Sequence, residues 1–163
     1  MMKISIIAAI SADGFIAKEK NEPSTNWTSH EDKEHFVKLT KEIGTIVMGL
    51  NTFKTIGKPL PDRRNIILTN ETISDVETFN GSPAELIKKL ENEGTMEIAI
   101  CGGQYVYNSF LQTGLVNKIY LTIEPIIFGQ GLNLFSDNFI GKLELIKTEN
   151  KNGTIFNEYK IIN

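Results

Sequence analysis

The segment Val47-Met48-Gly49-Leu50-Asn51-Thr52-Phe53-Lys54-Thr55-Ile56-Gly57-Lys58-Pro59-Leu60-Pro61-Asp62-Arg63-Arg64-Asn65-Ile66-Ile67-Leu68-Thr69 constrains this chain more than any other. An apolar strand over residues 45–48 ends at Gly49 and passes straight into a helix-compatible stretch, 51–56. A glycine at that corner lets the backbone turn tightly and lets a ligand approach the chain. The free N–H groups at the start of the following helix favour an anion such as a phosphate. After Pro59-Leu60-Pro61 come two arginines and a second apolar strand, 65–69. A glycine-ended strand, a helix and a basic corner within one short span describe a site for a phosphorylated or carboxylated small molecule.

The rest of the chain alternates between apolar runs and helical periodicity. Residues 3–10 (KISIIAAI) are nearly all apolar, as a strand buried on both faces requires. Ser11-Ala12-Asp13-Gly14 breaks the run. The stretch from Phe15 to Trp27 then carries Asn21, Pro23, Ser24 and Asn26 without periodicity, which predicts a mobile, functional loop. A helix is expected after Thr28-Ser29, reaching Glu42. Ser82-Pro83-Ala84-Glu85 opens another that reaches Glu93, with serine as cap, proline first and glutamate returning to the cap. A strand over 96–101 ends in Gly102-Gly103, and a helix over 104–113 closes at Gly114. Residues 118–128 read as one long strand, and 142–162 as a hairpin turning at Asn150-Lys151-Asn152-Gly153. The prediction is an α/β fold: a mostly parallel central sheet, helices on both faces, and an antiparallel C-terminal edge hairpin.

With 163 residues and 40% hydrophobic content, a single domain over 1–163 with a proper core is expected. A net charge of −3 argues against nucleic-acid binding. No apolar run is long enough to span a bilayer, so no membrane partner is expected. The N-terminus lacks a secretory layout, because Asp13-Gly14 stands where small cleavage-site residues would be wanted. With Cys101 as the one cysteine, no internal disulfide can form and a cytoplasmic location is expected.

Asp32 is the first residue with chemical promise. Helical spacing puts it on the same inward face as Phe36, Leu39 and Ile43, where a carboxylate costs free energy unless something binds it. Ser29-x-x-Asp32 also fits a capping box, as does Thr28-x-x-Glu31, and pattern alone leaves cap and function level. A partly buried Asp32 would have a raised pKa and could hold a polar heterocycle through paired N–H donors. The glycine-ended strands at Gly49 and at Gly102-Gly103 each lead into a helix, the place where an open α/β sheet binds an extended cofactor. Neither is a G-x-G-x-x-G fingerprint. One of Arg63 and Arg64 is expected to be solvated, while the other can grip a carboxylate bidentately. His30 and His35 lack companions at metal-ligand spacing, so no metal is expected. Cys101, at the end of a buried strand, reads as packing, as do Tyr105 and Tyr107, and Trp27 fits either core or a lid contact.

Together these segments resemble the dihydrofolate reductase superfamily over nearly the whole chain. The motifs are V-M-G-x-x-T-F-x-x-I-G-x-P-L-P-x-R-x-N-I-I-L-T, I-x-x-C-G-G-x-x-V-Y followed by I-Y-L-T, and the N-terminal I-A-A-I-S-A-D-G-F-I-A. Trp27, Asp32, Phe36 and Thr40 match the family's Trp, acid, Phe and Thr in spacing. The resemblance implies a dihydrofolate reductase-like three-layer fold and hydride transfer from NAD(P)H to dihydrofolate or a related pterin. It implies that Asp32 binds the pterin's 2-amino-4-oxo edge with help from Thr122. Ala9, Trp27, Phe36 and Ile56 would border the substrate, and Arg63 its glutamate carboxylate. The cofactor would lie against Ala9, Ile16, Gly49, Leu50, Asn51, Thr52, Thr69, Asn70, Gly102, Gly103, Gln104, Tyr105 and Tyr107. The Gly102–Gly103 bond is expected to be cis.

Leu50 and Tyr105 occupy positions that are usually basic in the family, so NADPH is expected with NADH also possible, Thr69, Asn70 and Lys54 contributing. The run 125–135 and the segment Asn26-Trp27-Thr28-Ser29 are similar to the reductase domain of riboflavin biosynthesis. That gives an alternative activity on 5-amino-6-(5-phosphoribosylamino)uracil, with a non-catalytic nucleotide-binding relative as the third reading. The partner expected is a small-molecule substrate, and the chain a monomer or homodimer.

Overall fold

Successive apolar residues on the inner strands face opposite layers, and this two-sided burial organises the molecule. The computed structural model describes residues 1–136 and 139–162. In chain order its elements are β1 (Lys3–Ser11), β2 (Phe15–Ala17), α1 (His30–Ile43), β3 (Thr45–Gly49), α2 (Leu50–Ile56), β4 (Arg64–Leu68) and β5 (Glu77–Phe79). There follow α3 (Pro83–Asn92), β6 (Glu97–Ile100), α4 (Gln104–Leu111), β7 (Lys118–Glu124), β8 (Leu132–Asn133), β9 (Lys142–Lys151) and β10 (Thr154–Ile162). Ile4, Ile6, Val47, Ile66, Ile98 and Ile100 pack with Leu86 and Leu90 of α3 and Phe110 of α4. The residues between them, Ile7, Ile46, Met48, Ile67 and Ala99, pack with Leu39 of α1 and Phe53 of α2. Period-2 alternation inside continuous apolar runs therefore produces three layers, helices on both faces of one sheet.

The main sheet has the order β5-β4-β3-β6-β1-β7-β10-β9. Pairing is parallel from β5 through to β7, and antiparallel where β10 joins β7 and β9. The expected α/β architecture with its edge hairpin is present. The hairpin turns through Asn152 and Gly153, both at positive φ, as a two-residue turn between right-twisted strands requires.

The structure departs from the sequence reading in four places. The strand expected over 118–128 stops at Glu124, because Pro125 has no N–H for the ladder and the Ile126 amide turns back to the Glu124 carbonyl at 2.8 Å. The helix expected over 104–113 ends at Leu111. Strand β5 was not expected; it is three half-buried residues pairing parallel with β4. The loop 13–27 carries β2, which pairs antiparallel with β8, and a 3₁₀ turn over Ser24–Asn26.

Arg64 is tied into the scaffold rather than simply solvated. It bonds both oxygens of Glu77, and it also meets Glu93, which Lys89 meets in turn. Asn65, buried beside it, accepts from the Leu60 amide and donates to the carbonyls of Leu60 and Arg63, each at 2.8 Å. Its amide thereby holds the whole loop between α2 and β4. Asn65→Ala removes three hydrogen bonds from a buried position, and a loss of about 2–3 kcal/mol is expected in chemical denaturation.

Candidate functional site

The carboxyl ends of the parallel strands open into a cavity of about 1430 Å³. Ala8 and Ala9 of β1, Gly49 of β3, Leu68 of β4 and the Cys101-Gly102-Gly103 turn after β6 line its floor. This size exceeds the roughly 300–1,000 Å³ of common small-molecule sites, and it has room for two ligands side by side.

Gly49 and the double-glycine turn meet at the centre. The Gly49 amide donates to the Gly102 carbonyl at 2.8 Å, and the Cys101 amide to the Val47 carbonyl at 2.9 Å. Gly49 has ordinary extended dihedrals, so tight turning is not its reason for being glycine. A Cβ there would press on Val106 of α4 at 3.0 Å, so the residue permits close packing of α4 on the strand end. Gly102 is different: its φ is +116°, and a Cβ would lie 3.3 Å from the Tyr107 hydroxyl and 3.4 Å from Thr52 Oγ1. The Gly102–Gly103 peptide is cis. Tyr107 is buried and donates to the Ile7 carbonyl at 2.8 Å, which pins α4 to β1 under the cavity.

Asp32 reaches the cavity from the first turn of α1. Ser29 is the N-cap, its hydroxyl accepting from the Asp32 amide at 3.1 Å. The reciprocal arm of a capping box is absent, because the Ser29 amide instead meets Glu124 of β7 at 3.1 Å. The alternative box also fails to form, since the Glu31 carboxylate turns outward to Asn152. The Asp32 carboxyl is therefore left free of capping. Burial pushes its pKa up to about 6 from 3.8; a hydrogen bond from Thr122 lowers it, the Glu124 charge raises it and Lys33 lowers it. Thr122 stands beside Ala9 in the sheet register and reaches Asp32 from beneath, without lining the cavity.

Phe36, Val37, Ile56 and Leu60 make an apolar wall next to Asp32, and Arg63 closes it. Arg63 is held by its Nε on the Pro61 carbonyl and its Nη1 on Thr40 Oγ1, both at 2.8 Å. Partial burial lowers its pKa, without approaching deprotonation. At the other end lie Leu50, Asn51, Thr52, Thr69, Asn70, Gln104 and Tyr105. Tyr105 is exposed at the rim rather than packed in its helix. Burial pushes the Cys101 thiol up to about 12, so it remains a protonated wall residue.

Of the expected site residues, Ala9, Ile16, Asp32, Phe36, Ile56, Arg63 and the cofactor-side set all line this cavity. Trp27 does not; its ring meets Phe128 edge-on at 5.0 Å, and its indole nitrogen is buried with no partner among the described residues. Lys54 also lies outside the lining. Sequence reasoning missed the corner Asn80-Gly81-Ser82-Pro83, which lines the far end because β5 and α3 meet there. It missed Lys20 and Lys33 as well, whose solvent-side spacing gave no signal.

A cleft at the carboxyl edge of an open parallel sheet, with a glycine floor and a half-buried carboxyl, defines a cofactor-dependent enzyme of the α/β class. The dihydrofolate reductase family model matches residues 3–136. A dihydrofolate reductase of Staphylococcus haemolyticus is 35% identical over 126 residues, covering 74% of this chain and 69% of that one. A putative riboflavin biosynthesis protein from Shewanella superposes with a TM-score of 0.81 at 23% identity, covering 99% of this chain and 100% of that one. Dihydrofolate reductase from Enterococcus faecalis, complexed with NADP(H), gives 0.80 at 21%, covering 99% and 97%. The chain belongs to the dihydrofolate reductase family and is a nicotinamide-dependent oxidoreductase of that type.

The raised pKa of Asp32 has a stability consequence. Between 3.8 and about 6 the folded chain binds more protons at this site than the unfolded chain, so stability from Asp32 declines as pH rises through that window. Above it the ionised group costs the fold about 3 kcal/mol. Asp32→Asn is expected to raise stability at pH 7 by that order and to leave it nearly unchanged at pH 3.5, as checked by urea denaturation at both values. Gly102→Ala is expected to destabilise by about 1–3 kcal/mol, through its positive φ.

Proposed function

We propose that the enzyme reduces dihydrofolate, and the observation that carries this is the half-buried Asp32 carboxyl in a cavity that also holds an apolar wall and the fixed Arg63. When bound, the dihydronicotinamide supplies the hydride that reaches C6 of the pterin. Asp32, steadied by Thr122, pairs with the 2-amino-4-oxo edge and supports protonation at N5. Phe36, Ile56 and Ala9 hold the ring, and Arg63 offers its remaining guanidinium nitrogen to a glutamate carboxylate. Ile16, Gly49, Thr52, Gly102, Gly103, Gln104 and Tyr107 fix the cofactor's course, and the loop 13–27 closes over it, with Trp27 acting through that loop. Alignment, exclusion of water and one well-placed carboxyl are the protein's contributions.

Both NADPH and NADH fit the cofactor end. Among the described residues the cations lining the cavity are Lys20, Lys33 and Arg63, and the lining segments 49–52, 69–70 and 102–105 contribute none. A 2′-phosphate there would meet neutral donors only, which supports a preference for NADPH of no more than about tenfold in kcat/KM, less than one charge-assisted contact gives.

A second reading, reduction of an aminouracil ribosyl phosphate, draws on the three cations that line the cavity, Lys20, Lys33 and Arg63. Arg64 and Lys58, the cations nearest Arg63 in sequence, do not line the cavity.

Oxidation of NADPH and of NADH, followed optically with dihydrofolate and then with the aminouracil, tests these readings. Turnover with dihydrofolate is expected, with kcat/KM falling as pH rises through about 6, the range of Asp32. Turnover of the aminouracil alone would overturn the folate reading. Arg63→Leu should raise KM for dihydrofolate at least about tenfold, yet leave a pterin lacking the glutamate tail unaffected.

A further inference from the structure

The buried carboxyl of Glu124 has no part in the chemistry described so far. It sits at the end of β7, 3% exposed, two residues beyond Thr122 and on the same face of the strand. Three donors converge on it. Oε1 accepts from the Ser29 amide at 3.1 Å and from the Ser29 hydroxyl at 2.8 Å, and Oε2 accepts from the Thr154 hydroxyl at 3.1 Å. The Thr154 hydroxyl also lies 3.0 Å from Ser29 Oγ, so β7, β10 and the head of α1 are knotted together at this one carboxyl.

A buried carboxyl facing an acid in the active site is an expensive arrangement, and a simple packing role would be served by an apolar residue. Its geometry shows what it does instead. The first amides of a helix need acceptors, and the acid three residues after a serine cap ordinarily supplies the return bond to the cap's own amide. In α1 that acid is Asp32. Glu124 makes the return bond in its place, from another strand, and so releases Asp32 to point into the cavity.

We propose that Glu124 is a positioning residue for Asp32: it takes over the capping of α1 through Ser29 and so leaves the Asp32 side chain to the cavity. The charge on Glu124 also disfavours ionisation of Asp32. The placement of Asp32 in the cavity then depends on a residue that touches neither substrate nor cofactor. The groups facing Asp32 are Thr122 and Glu124 from β7, Lys33 from its own helix, and the Tyr107 hydroxyl from α4. Burial is the main cause of the upward shift at Asp32, and of these groups only Glu124 adds to it. The proposal deepens the reading of Asp32 as the site's working carboxyl, yet its main test needs no turnover.

That test is a carboxyl ¹³C NMR titration of Asp32 in the ligand-free protein, native and Glu124→Gln. The isosteric amide keeps the size and removes the charge, so the Asp32 midpoint is expected to fall by about half a unit or more. A midpoint that stays in place while only thermal stability drops would overturn the proposal and leave Glu124 as a cap alone. For the positioning half, Glu124→Gln and Ser29→Ala should each raise substrate KM about threefold to tenfold, and the double variant no more than the larger single. Additive effects would mean that Glu124 does not act through Ser29. If Glu124→Gln does not fold, Thr154→Val carries the test, since it removes a donor from Oε2 and keeps the charge. KM must then rise with the Asp32 midpoint unmoved, and an unchanged KM would overturn the proposal. Absence of turnover with dihydrofolate would count against the substrate reading only, because the titration stands without it.

Discussion

The hydrogen bond from the Gly49 amide to the Gly102 carbonyl joins the two strand ends on which the site is built. Strands β3 and β6 are neighbours in the sheet for only a short register, Ile46 with Ala99 and Val47 with Ile100. Beyond it, the amides of Cys101 and Gly49 carry the pairing into the turns, so the chain leaves both strands at one level. Both following helices, α2 and α4, therefore begin beside the same cavity floor. Val106 packs against Gly49, and Tyr107 bonds across to β1, so α4 also seals the floor from the opposite layer. A side chain on either glycine would separate these parts, and the cavity would lose the flat backbone surface on which an extended ligand can lie.

The other half of the site rests on an electrostatic arrangement that costs stability. Asp32 is drawn from water into an apolar wall, and its affinity for a proton rises accordingly. A fold selected for stability alone would place a neutral residue there, or let the acid return to the cap of α1. The chain does neither. Thr122 gives the carboxyl one hydrogen bond, and Glu124 occupies the place at the helix cap that Asp32 would otherwise fill. Strand β7 contributes both residues from one face at alternate positions, so a single strand supports the Asp32 carboxyl and takes its place at the cap.

Much of this was readable from the chain, for a definite reason. Strands buried on both faces appear as unbroken apolar runs, so β1, β3, β4 and β6 were evident, and the glycines at the ends of β3 and β6 mark the cavity floor. The serine box opening α3 was local and formed as read, with Ser82 and Glu85 bonding reciprocally. What escaped was nonlocal. Strand β5 has too few residues to show alternation and exists through its pairing with β4. The capping choice at Ser29 was a tie because the deciding residue, Glu124, lies 95 positions away. Lys33 and Lys20 face the cavity from surfaces that their spacing marks as solvent.

The run from Pro125 to Phe135 serves the loop 13–27 more than the pocket. Asp13 at the start of the loop 13–27 accepts from the amides of Phe128 and Gly129, at 3.1 and 2.8 Å. Trp27 at its end meets the ring of Phe128, and Lys18 sits 5.2 Å from the centre of that same ring. Between these points β2 pairs with β8, and of the run itself only Leu132 lines the cavity. The loop 13–27 is therefore held at both ends and along its middle by one following segment. The cavity wall draws on other elements, where Phe36, Ile56 and Leu60 offer apolar surface and Lys33 and Arg63 add positive charge.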